Sequence, residues 1–236
     1  MVDKNTCSST VRFRNISPRY KPYDAKRLKG RSGHCMFADE SDLYVFGGYN
    51  PTEGIFDRNG VGHSQVLPEL WRFNFASQKW TNIVSDNTPL TCASASILVI
   101  NKKVYVFGGT SYPFGQIMSN TVKTLSLWPR SLTAAGEDRP EGTETKHVWQ
   151  LLETNAMSYS GGGEEEDCTP PPAYGQSLVF HKDCIYVFGG AIGYYSEAVA
   201  DLHKLDLNTM TWEKLRPTGK APSGRYKQEI VQSGDK

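Results

Sequence analysis

The sequence lacks the features that define several large classes of protein. Its 236 residues carry 26 Lys and Arg against 25 Asp and Glu, so a net charge of +1 gives no electrostatic reason to expect nucleic acid or a membrane surface as a partner. No stretch approaches the roughly 18 to 20 consecutive apolar residues of a membrane-spanning helix, and residues 1–15 lack the apolar core of a signal peptide. We therefore expect a soluble protein of the cytoplasm, with the nucleus as a second compartment.

Cysteine is scarce and scattered along the chain. The five cysteines are Cys7, Cys35, Cys92, Cys168 and Cys184. They show neither a CxxC spacing nor the combination with histidine that a zinc site needs. The pattern predicts reduced thiols rather than disulfides, and we expect neither a bound metal nor a cofactor.

One apolar phrase, YVFGG, occurs three times, at residues 44–48, 105–109 and 186–190. It ends a longer unit whose three copies have equal length and align without a gap, namely residues 34–48, 95–109 and 176–190. Each copy consists of an apolar run, a short polar turn and a second apolar run. This pattern predicts three β-hairpins.

The similarity continues after each hairpin. Three segments place apolar residues at alternate positions, as a half-buried strand does, and they are residues 69–75, 121–127 and 201–207. A tryptophan follows each of them, namely Trp80, Trp149 and Trp212, and we expect it to open a fourth strand. Each unit is therefore predicted to be a four-stranded antiparallel sheet.

The spacing of the units defines where extra residues have been inserted. The first strands begin at His34, Ala95, Gln176 and Gln228, which are 61, 81 and 52 residues apart. The excess over a repeat of about 50 residues lies only between strands, where solvated loops tolerate it. The predicted insertions are residues 49–68, 128–147 and 153–172. The last is acidic and rich in glycine and proline, and its composition predicts a flexible spacer.

These boundaries predict a basic N-terminal tail at residues 1–28, which holds most of the early Lys and Arg, followed by one repeat domain at residues 29–236. The predicted units are residues 29–84, 91–153 and 173–216, with the start of a fourth at 222–236.

The repeated unit resembles the motif of kelch repeats. In the first unit a double glycine follows an apolar strand, and Phe73 and Trp80 lie seven residues apart further along. The resemblance implies an all-β fold, a partial kelch β-propeller with three complete blades and the start of a fourth. The segment RSGHCMFADESDLYVFGGYNP is similar to kelch proteins that form six-bladed propellers and carry a C-terminal helical box for elongins and a cullin-2 RING ubiquitin ligase. That subgroup selects substrates by short C-terminal degrons ending in glycine or another small residue. The sequence as given stops inside a fourth hairpin without the box, which we interpret as a truncation. The alternative is a genuine half-propeller, which would expose a long sheet edge and need a partner or a second copy to close.

In an antiparallel blade, the ends of second strands and the starts of first strands emerge on one face. We predict that this face binds a partner through Arg31, Ser32, Tyr49, Asn50, Thr110, Ser111, Tyr112, Tyr174, Tyr194, Arg225 and Tyr226. Arg31 and Arg225 occupy equivalent positions, and a guanidinium can hold a peptide carboxylate by two hydrogen bonds. The alternative is that each arginine pairs with a neighbouring acid or is merely solvated. The tyrosines either form rigid walls of the site or pack in the ordinary way.

Other repeated residues are predicted to serve the architecture. They are Gly47, Gly48, Trp80, Gly108, Gly109, Trp149, Gly189, Gly190 and Trp212. The glycines suit a close backbone approach or a positive φ, and the tryptophans suit packing between blades. The leading functional hypothesis is a non-enzymatic module that binds protein or peptide C-termini. A scaffold for a signalling or cytoskeletal protein is the alternative, and an enzyme is third because the predicted face offers no Asp, Glu or His.

Overall fold

The computed structural model describes residues 28–52, 65–127, 147–160 and 165–234, and every regular element in these ranges is a β-strand. The predicted tail up to residue 27 and the centres of the first two insertions lie outside the described residues. The first blade consists of β1 (Cys35–Ala38), β2 (Asp42–Phe46), β3 (Leu70–Asn74) and β4 (Lys79–Ile83), antiparallel and in that order. The predicted hairpin, third strand and fourth strand are confirmed here.

The second blade has the same order but a divided outer strand. After β5 (Ser85–Asp86) the chain forms β6 (Ser96–Ile100), β7 (Lys103–Phe107), β8 (Val122–Ser126), β9 (His147–Val148) and β10 (Gln150–Leu152). The prediction that Trp149 opens the fourth strand needs a correction, because Trp149 lies between two strands with different partners. β10 pairs with β8 inside the blade, whereas β9 pairs with β5 outside it.

The third blade follows a short excursion of the chain. The strands in this part are β11 (Asn155–Ala156), β12 (Ser158–Ser160), β13 (Glu165–Asp167), β14 (Ser177–His181), β15 (Cys184–Phe188), β16 (Ala191–Ile192), β17 (Glu197–Ala198), β18 (Leu202–Asp206) and β19 (Thr211–Leu215). The blade sheet has the order β11-β19-β18-β15-β14. β12 and β13 form an antiparallel pair inside the predicted spacer 153–172, so that segment is in part regular structure because its backbone groups bond to each other.

Two short strands, β5 and β11, add a parallel pair to the outer edge of the blade that follows them; we call them the linker strands. β5 pairs with β9, and the Trp149 N–H donates to the Asp86 carbonyl at 3.0 Å. β11 pairs with β19, and the Met157 N–H donates to the Trp212 carbonyl at 3.0 Å. The first and second blade sheets are four-stranded, as the sequence predicts, and the third has a fifth strand because β11 joins its outer edge.

Aromatic side chains fill the space between neighbouring blades. Phe46, at the end of β2, lies 5.1 Å from Trp149 of the second blade between ring centroids. Phe107, at the end of β7, lies 5.5 Å from Trp212 of the third. All four side chains are almost fully buried. The motif tryptophan of one blade thus closes the hydrophobic core against the second strand of the preceding blade.

The first strands lie next to one another, and main-chain hydrogen bonds join the residues that precede them. The Ser94 N–H donates to Gly33, the Gly175 N–H to Ser94, and the Lys227 N–H to Gly175, each at 2.7 Å. All four residues have positive φ, between +50° and +69°. We call this chain of bonds the axis ladder.

The last described segment, residues 222–234, takes the place of a further first strand without itself forming a strand. The Ser177 hydroxyl donates to the Gln228 carbonyl at 2.6 Å, and the Gln228 amide donates to the Phe188 carbonyl at 2.8 Å. The first of these bonds repeats one made by the Ser96 hydroxyl to the Gln176 carbonyl at 2.5 Å. The segment is therefore positioned by the same contacts that position the first strands of the second and third blades.

Candidate functional site

The connection that follows each second strand lies beside the residues that precede a first strand. We call the surface that these segments form the mouth face. Ser32 and Tyr49 exchange main-chain hydrogen bonds of 2.9 and 2.8 Å, which form an isolated antiparallel bridge. Ala93 with Thr110, and Tyr174 with Ala191, form the same bridge in the next two blades. The order of the strands within a blade thus brings together the two sets of residues that the sequence assigned to one face.

A cavity of about 330 Å³ opens at the centre of the mouth face, and we call it the mouth pocket. Residues that line it include Ser32, Tyr49, Phe114, Tyr174, Tyr226 and Lys227. They come from all three blades and from the segment that follows the third, so the pocket exists only because the blades are assembled. Its volume falls at the lower end of the range for ligand sites, about 300 to 1,000 Å³.

Two pairs of aromatic rings form walls of the pocket. Tyr49 lies edge to face with Phe114 at 4.6 Å between ring centroids, and Tyr112 lies 6.2 Å from Tyr49 on the rim. The second pair is Tyr174 and Tyr226, whose ring centroids are 6.1 Å apart. The Tyr174 hydroxyl shares a 2.5 Å hydrogen bond with the Ser196 hydroxyl, which holds its ring in place. Walls of this kind offer apolar area that costs little entropy to order on binding.

The pocket carries one cationic side chain, that of Lys227. No carboxylate occurs among the described residues that line it. Lys227 is exposed and has φ of +57°, and its backbone is fixed by the axis ladder. An ammonium group without a lining acid favours an anionic group of a ligand, although solvent weakens the attraction at an exposed position.

Arg31 is held inside the first blade. Its Nη2 lies 2.8 Å from Glu69 Oε1, its Nη1 donates to the Gly47 carbonyl at 3.0 Å, and only 3% of its side chain is exposed. The other Glu69 oxygen accepts the Trp71 indole N–H at 2.7 Å. The alternative stated for this residue, pairing with a neighbouring acid, is therefore what the structure shows.

The Arg31 guanidinium also affects its neighbour His34. Partial burial is the larger cause and the guanidinium the second, and together they lower the pKa of His34.

Arg225 lies outside the mouth pocket as well. Its Nε donates to the Ser223 carbonyl at 3.0 Å and its Nη2 to the Ser223 hydroxyl at 3.1 Å, and the side chain is exposed. It lines a separate apolar cavity of about 440 Å³ beside Phe188 and Leu202. The structure therefore does not bring the two arginines together at the mouth pocket, and a binding role for Arg225 stays a prediction.

The remaining predicted residues divide between the frame and the rim of the pocket. Thr110 is fully buried, where its hydroxyl donates to the Ile117 carbonyl at 2.9 Å, and Ser111 is half-buried beside it. Asn50 donates to the Gly30 carbonyl at 2.6 Å and shapes a turn. Tyr112 and Tyr194 stand on the rim with 50% and 63% of their surface exposed.

Sequence reasoning missed six residues that line the pocket, namely Gly33, Ala93, Ser94, Phe114, Ser196 and Lys227. Lys227 could have been found, because it aligns with Gly33, Ser94 and Gly175 immediately before each first strand. Phe114 and Ser196 lie in connections of different length and sequence, so no repeat position identifies them. Among the described residues no group of three or more His, Cys, Asp or Glu side chains could hold a metal ion.

Repeated antiparallel blades with a double glycine, an interblade tryptophan and a shared mouth define a kelch-type β-propeller segment, which is a protein-interaction fold. A family model described as the KLHDC2/KLHL20/DRC7 Kelch-repeats domain matches residues 19–236, and the chain belongs to this kelch-repeat family. No helix in the described part of the chain is long and apolar enough to span a membrane.

Several curated proteins are similar to this chain. Kelch domain-containing protein 10 of Rattus norvegicus is 35% identical over 233 residues, which cover 95% of this chain and 48% of that protein. The Homo sapiens protein of the same name is 35% identical over 214 residues, covering 87% of this chain and 41% of its own length. Kelch domain-containing protein 2 of Rattus norvegicus is 25% identical over 232 residues, covering 93% and 53%. The chain thus spans about half the length of these relatives.

Proposed function

We propose that this kelch domain binds the C-terminal ends of partner polypeptides in the mouth pocket. The observation that carries the proposal is the combination of aromatic walls with a single cation, Lys227, and no lining carboxylate. A peptide terminus matches this arrangement, because it combines a small apolar end with a free carboxylate. The modest volume of the pocket suits small terminal residues such as glycine.

In this proposal each part of the pocket has a separate task. The Lys227 ammonium pairs with the terminal carboxylate. The Tyr49 and Phe114 wall and the Tyr174 and Tyr226 wall enclose the last side chains and exclude water, which strengthens the charge pair. Because the ammonium is exposed, affinity should fall as the salt concentration rises.

The test uses peptides with randomised last residues, prepared in free-acid and amidated forms and incubated with the immobilised chain. We expect amidation and Lys227→Gln each to weaken binding of a selected peptide about tenfold, as for the loss of one charge-assisted hydrogen bond. Lys102→Gln, which removes an exposed lysine outside both the mouth pocket and the cavity beside Arg225, should leave affinity unchanged. Equal binding of the free and amidated peptides would contradict the proposal.

Arg225→Ala tests the carboxylate role predicted for that residue. A loss of affinity equal to that of Lys227→Gln would move the carboxylate site to Arg225, whereas unchanged affinity would leave it at Lys227.

The wider role in this proposal, a substrate receptor for a cullin-2 RING ubiquitin ligase, is supported by family resemblance. Its measurement is whether ligase components co-purify with a chain extended to the full length of the relatives.

A second candidate function is a scaffold that docks a folded partner on the rim of the mouth. Tyr194 and Tyr195 favour it, because they occupy the tip between β16 and β17 with 63% and 93% of their surface exposed. Exposed tyrosines at such a tip commonly anchor protein interfaces. Replacing both with Ala should abolish capture of a scaffold partner while leaving peptide binding in the pocket intact.

A further inference from the structure

Two hydroxyl groups, those of Tyr174 and Ser196, meet in the wall of the mouth pocket, and we call them the hydroxyl pair. Their oxygens lie 2.5 Å apart, so one hydroxyl donates its hydrogen to the other. Among the described residues, neither hydroxyl has a second hydrogen-bond partner. Because each hydroxyl carries a single hydrogen, one hydrogen is used inside the pair and the hydrogen of the accepting group is left to bond elsewhere.

The remaining hydrogen belongs to Ser196. The phenol is the more acidic of the two groups and hence the stronger donor, so Tyr174 donates and Ser196 accepts. Burial agrees with this direction, since Tyr174 is only 7% exposed whereas Ser196 is half-buried and lines the pocket. A hydroxyl whose oxygen already accepts a hydrogen bond becomes a stronger donor, because bonds in a chain polarise one another. Ser196 therefore presents a strengthened O–H donor to the pocket.

The backbone holds both hydroxyls in place. Tyr174 and Ala191 exchange main-chain hydrogen bonds of 3.1 and 2.8 Å. The Ser196 N–H donates to the Gly193 carbonyl at 3.2 Å, in a turn where Ser196 has φ of +57°. A donor that is fixed before the ligand arrives costs less entropy to order on binding.

The side chain of Lys227 starts from the same wall of the pocket. A Cβ on Gly175, the residue after Tyr174, would lie 3.2 Å from the Lys227 main-chain nitrogen and 3.4 Å from Lys227 Cγ. The ring of Tyr226 packs against Tyr174 from the same side of the chain. The stem of the lysine and the hydroxyl pair therefore belong to one wall, and a carboxylate, which has two acceptor oxygens, can bond to both groups.

We propose that the Ser196 hydroxyl donates to the terminal carboxylate of the bound peptide, as a second anchor beside the Lys227 ammonium. The second anchor rests on the proposed function, since it requires a peptide C-terminus in the mouth pocket. The ammonium attracts the negative charge, whereas the hydroxyl bond is directional and orients the carboxylate. A ligand without an acceptor at this place leaves the donor unbonded and is disfavoured.

Two variants delete the same bond between Tyr174 and Ser196, but only one removes the donor to the ligand. With a free-acid peptide selected by the wild-type chain, we expect Ser196→Ala to weaken binding about tenfold, as for loss of a hydrogen bond to a charged group. Tyr174→Phe keeps the ring and the serine, so it should weaken binding only about threefold through the lost polarisation. A loss for Ser196→Ala no larger than that for Tyr174→Phe would show that the pair only holds the ring, and would overturn the proposal.

Salt distinguishes the two anchors. The hydroxyl is neutral, so Ser196→Ala should reduce affinity by the same factor at low and high ionic strength, whereas Lys227→Gln should remove the salt dependence itself. The matched control is Ser126→Ala, which changes an exposed serine at the end of β8 outside the pocket and should bind like the wild type.

The peptides also separate failure of the second anchor from failure of the proposed function. Equal binding of free-acid and amidated peptides by the wild-type chain would overturn both. A retained preference of the wild type for the free acid, with unchanged affinity in Ser196→Ala, would overturn the second anchor alone.

Discussion

At the scale of single residues, Gly47 and Gly193 share almost the same backbone conformation, with φ of +68° and +66°, but have different surroundings. A Cβ at Gly47 would collide with the Cys92 carbonyl of the next blade and lie 2.9 Å from the Cys92 Cβ. A Cβ at Gly193 would meet nothing within 4 Å. Alanine substitutions at these two glycines therefore distinguish two contributions to the loss of unfolding free energy. One comes from the left-handed conformation, and the other comes from crowding between blades.

We expect Gly193→Ala to destabilise the domain by about 1 kcal/mol, which is the conformational penalty alone. Gly47→Ala carries the same penalty and also forces the backbones of two blades apart, so we expect a loss of about 3 kcal/mol or more. Urea unfolding followed by tryptophan fluorescence measures both changes. Equal losses in the two variants would show that the close approach at Gly47 contributes nothing.

Arg31 shows what a sequence leaves undecided at this scale. Its position at the start of the first strand was predictable from the repeat, but its partner Glu69 is 38 residues away across an insertion. The sequence offered pairing with an acid and exposure to a ligand as alternatives. Only the packing of β3 beside β2 brings the carboxylate to the guanidinium and buries it.

At the scale of elements, successive first strands are joined by a small side chain at one repeated position. The Cys35 thiol donates to the Ala95 carbonyl at 3.0 Å, just as the Ser96 hydroxyl donates to the Gln176 carbonyl and the Ser177 hydroxyl to the Gln228 carbonyl. Burial raises the pKa of Cys35 to about 12. Because the unfolded thiol titrates near 9, the stability provided by the protonated thiol is present below pH 9 and is lost as the pH rises toward 12.

We expect Cys35→Ser to keep the interblade bond, since serine fills the position in two other blades, and to remove this source of alkaline instability. Between pH 8 and 10 the loss of unfolding free energy should be smaller in the variant by about 1 kcal/mol. Urea unfolding gives the change in unfolding free energy between the two pH values for each protein. The difference between the two changes isolates the contribution of the thiol, because the other titrating groups are shared. An identical alkaline loss in both proteins would contradict the assignment.

The strands themselves were the part of the fold that the sequence could predict. Alternating apolar residues and equal hairpin lengths identify the first three strands of each blade without reference to tertiary structure. The linker strands could not be predicted, because two residues carry no periodicity and their pairing depends on a strand in another part of the chain. The pair β12 and β13 was missed for a related reason, since an acidic, glycine-rich composition favours a flexible segment.

At the scale of the whole molecule, residues at equivalent repeat positions differ in how deeply they are buried, according to the blade they occupy. Trp149 lies between two blades and is 1% exposed, whereas Trp80 packs on Phe73 of its own blade at 5.1 Å and is only half-buried. Likewise Phe46 and Phe107 are buried, while Phe188 of the third blade is half-buried beside the apolar cavity. Burial at a repeat position therefore depends on its neighbours and not on the motif.

This difference predicts unequal effects of one substitution. Trp149→Ala should cost about 3 to 5 kcal/mol, because it leaves a cavity between the first two blades. Trp80→Ala should cost about 1 to 2 kcal/mol, since less of its surface is removed from water. Equilibrium unfolding of the two variants measures the two losses of unfolding free energy. A loss for Trp80→Ala as large as that for Trp149→Ala would show that another part of the chain covers the first blade.

The mouth pocket also belongs to this scale. The sequence predicted which connections lie beside one another, because strand order alone determines which loops emerge together. It predicted Ser32, Tyr49, Tyr174 and Tyr226 among the lining residues. It missed Phe114 and Ser196, because their positions depend on the lengths and paths of different connections.

The axis ladder has a consequence for how such domains diverge. Its hydrogen bonds use only main-chain atoms, so the side chains at its four positions, at present Gly33, Ser94, Gly175 and Lys227, take no part in its bonds. A lysine and a serine already stand where two glycines are also accommodated. At Ser94 and Lys227, which already carry side chains at positive φ, ligand preference can therefore change during evolution by single substitutions while the main-chain bonds stay the same. At Gly33 a Cβ would lie 2.9 Å from the Ser94 Oγ, so a substitution there disturbs the ladder.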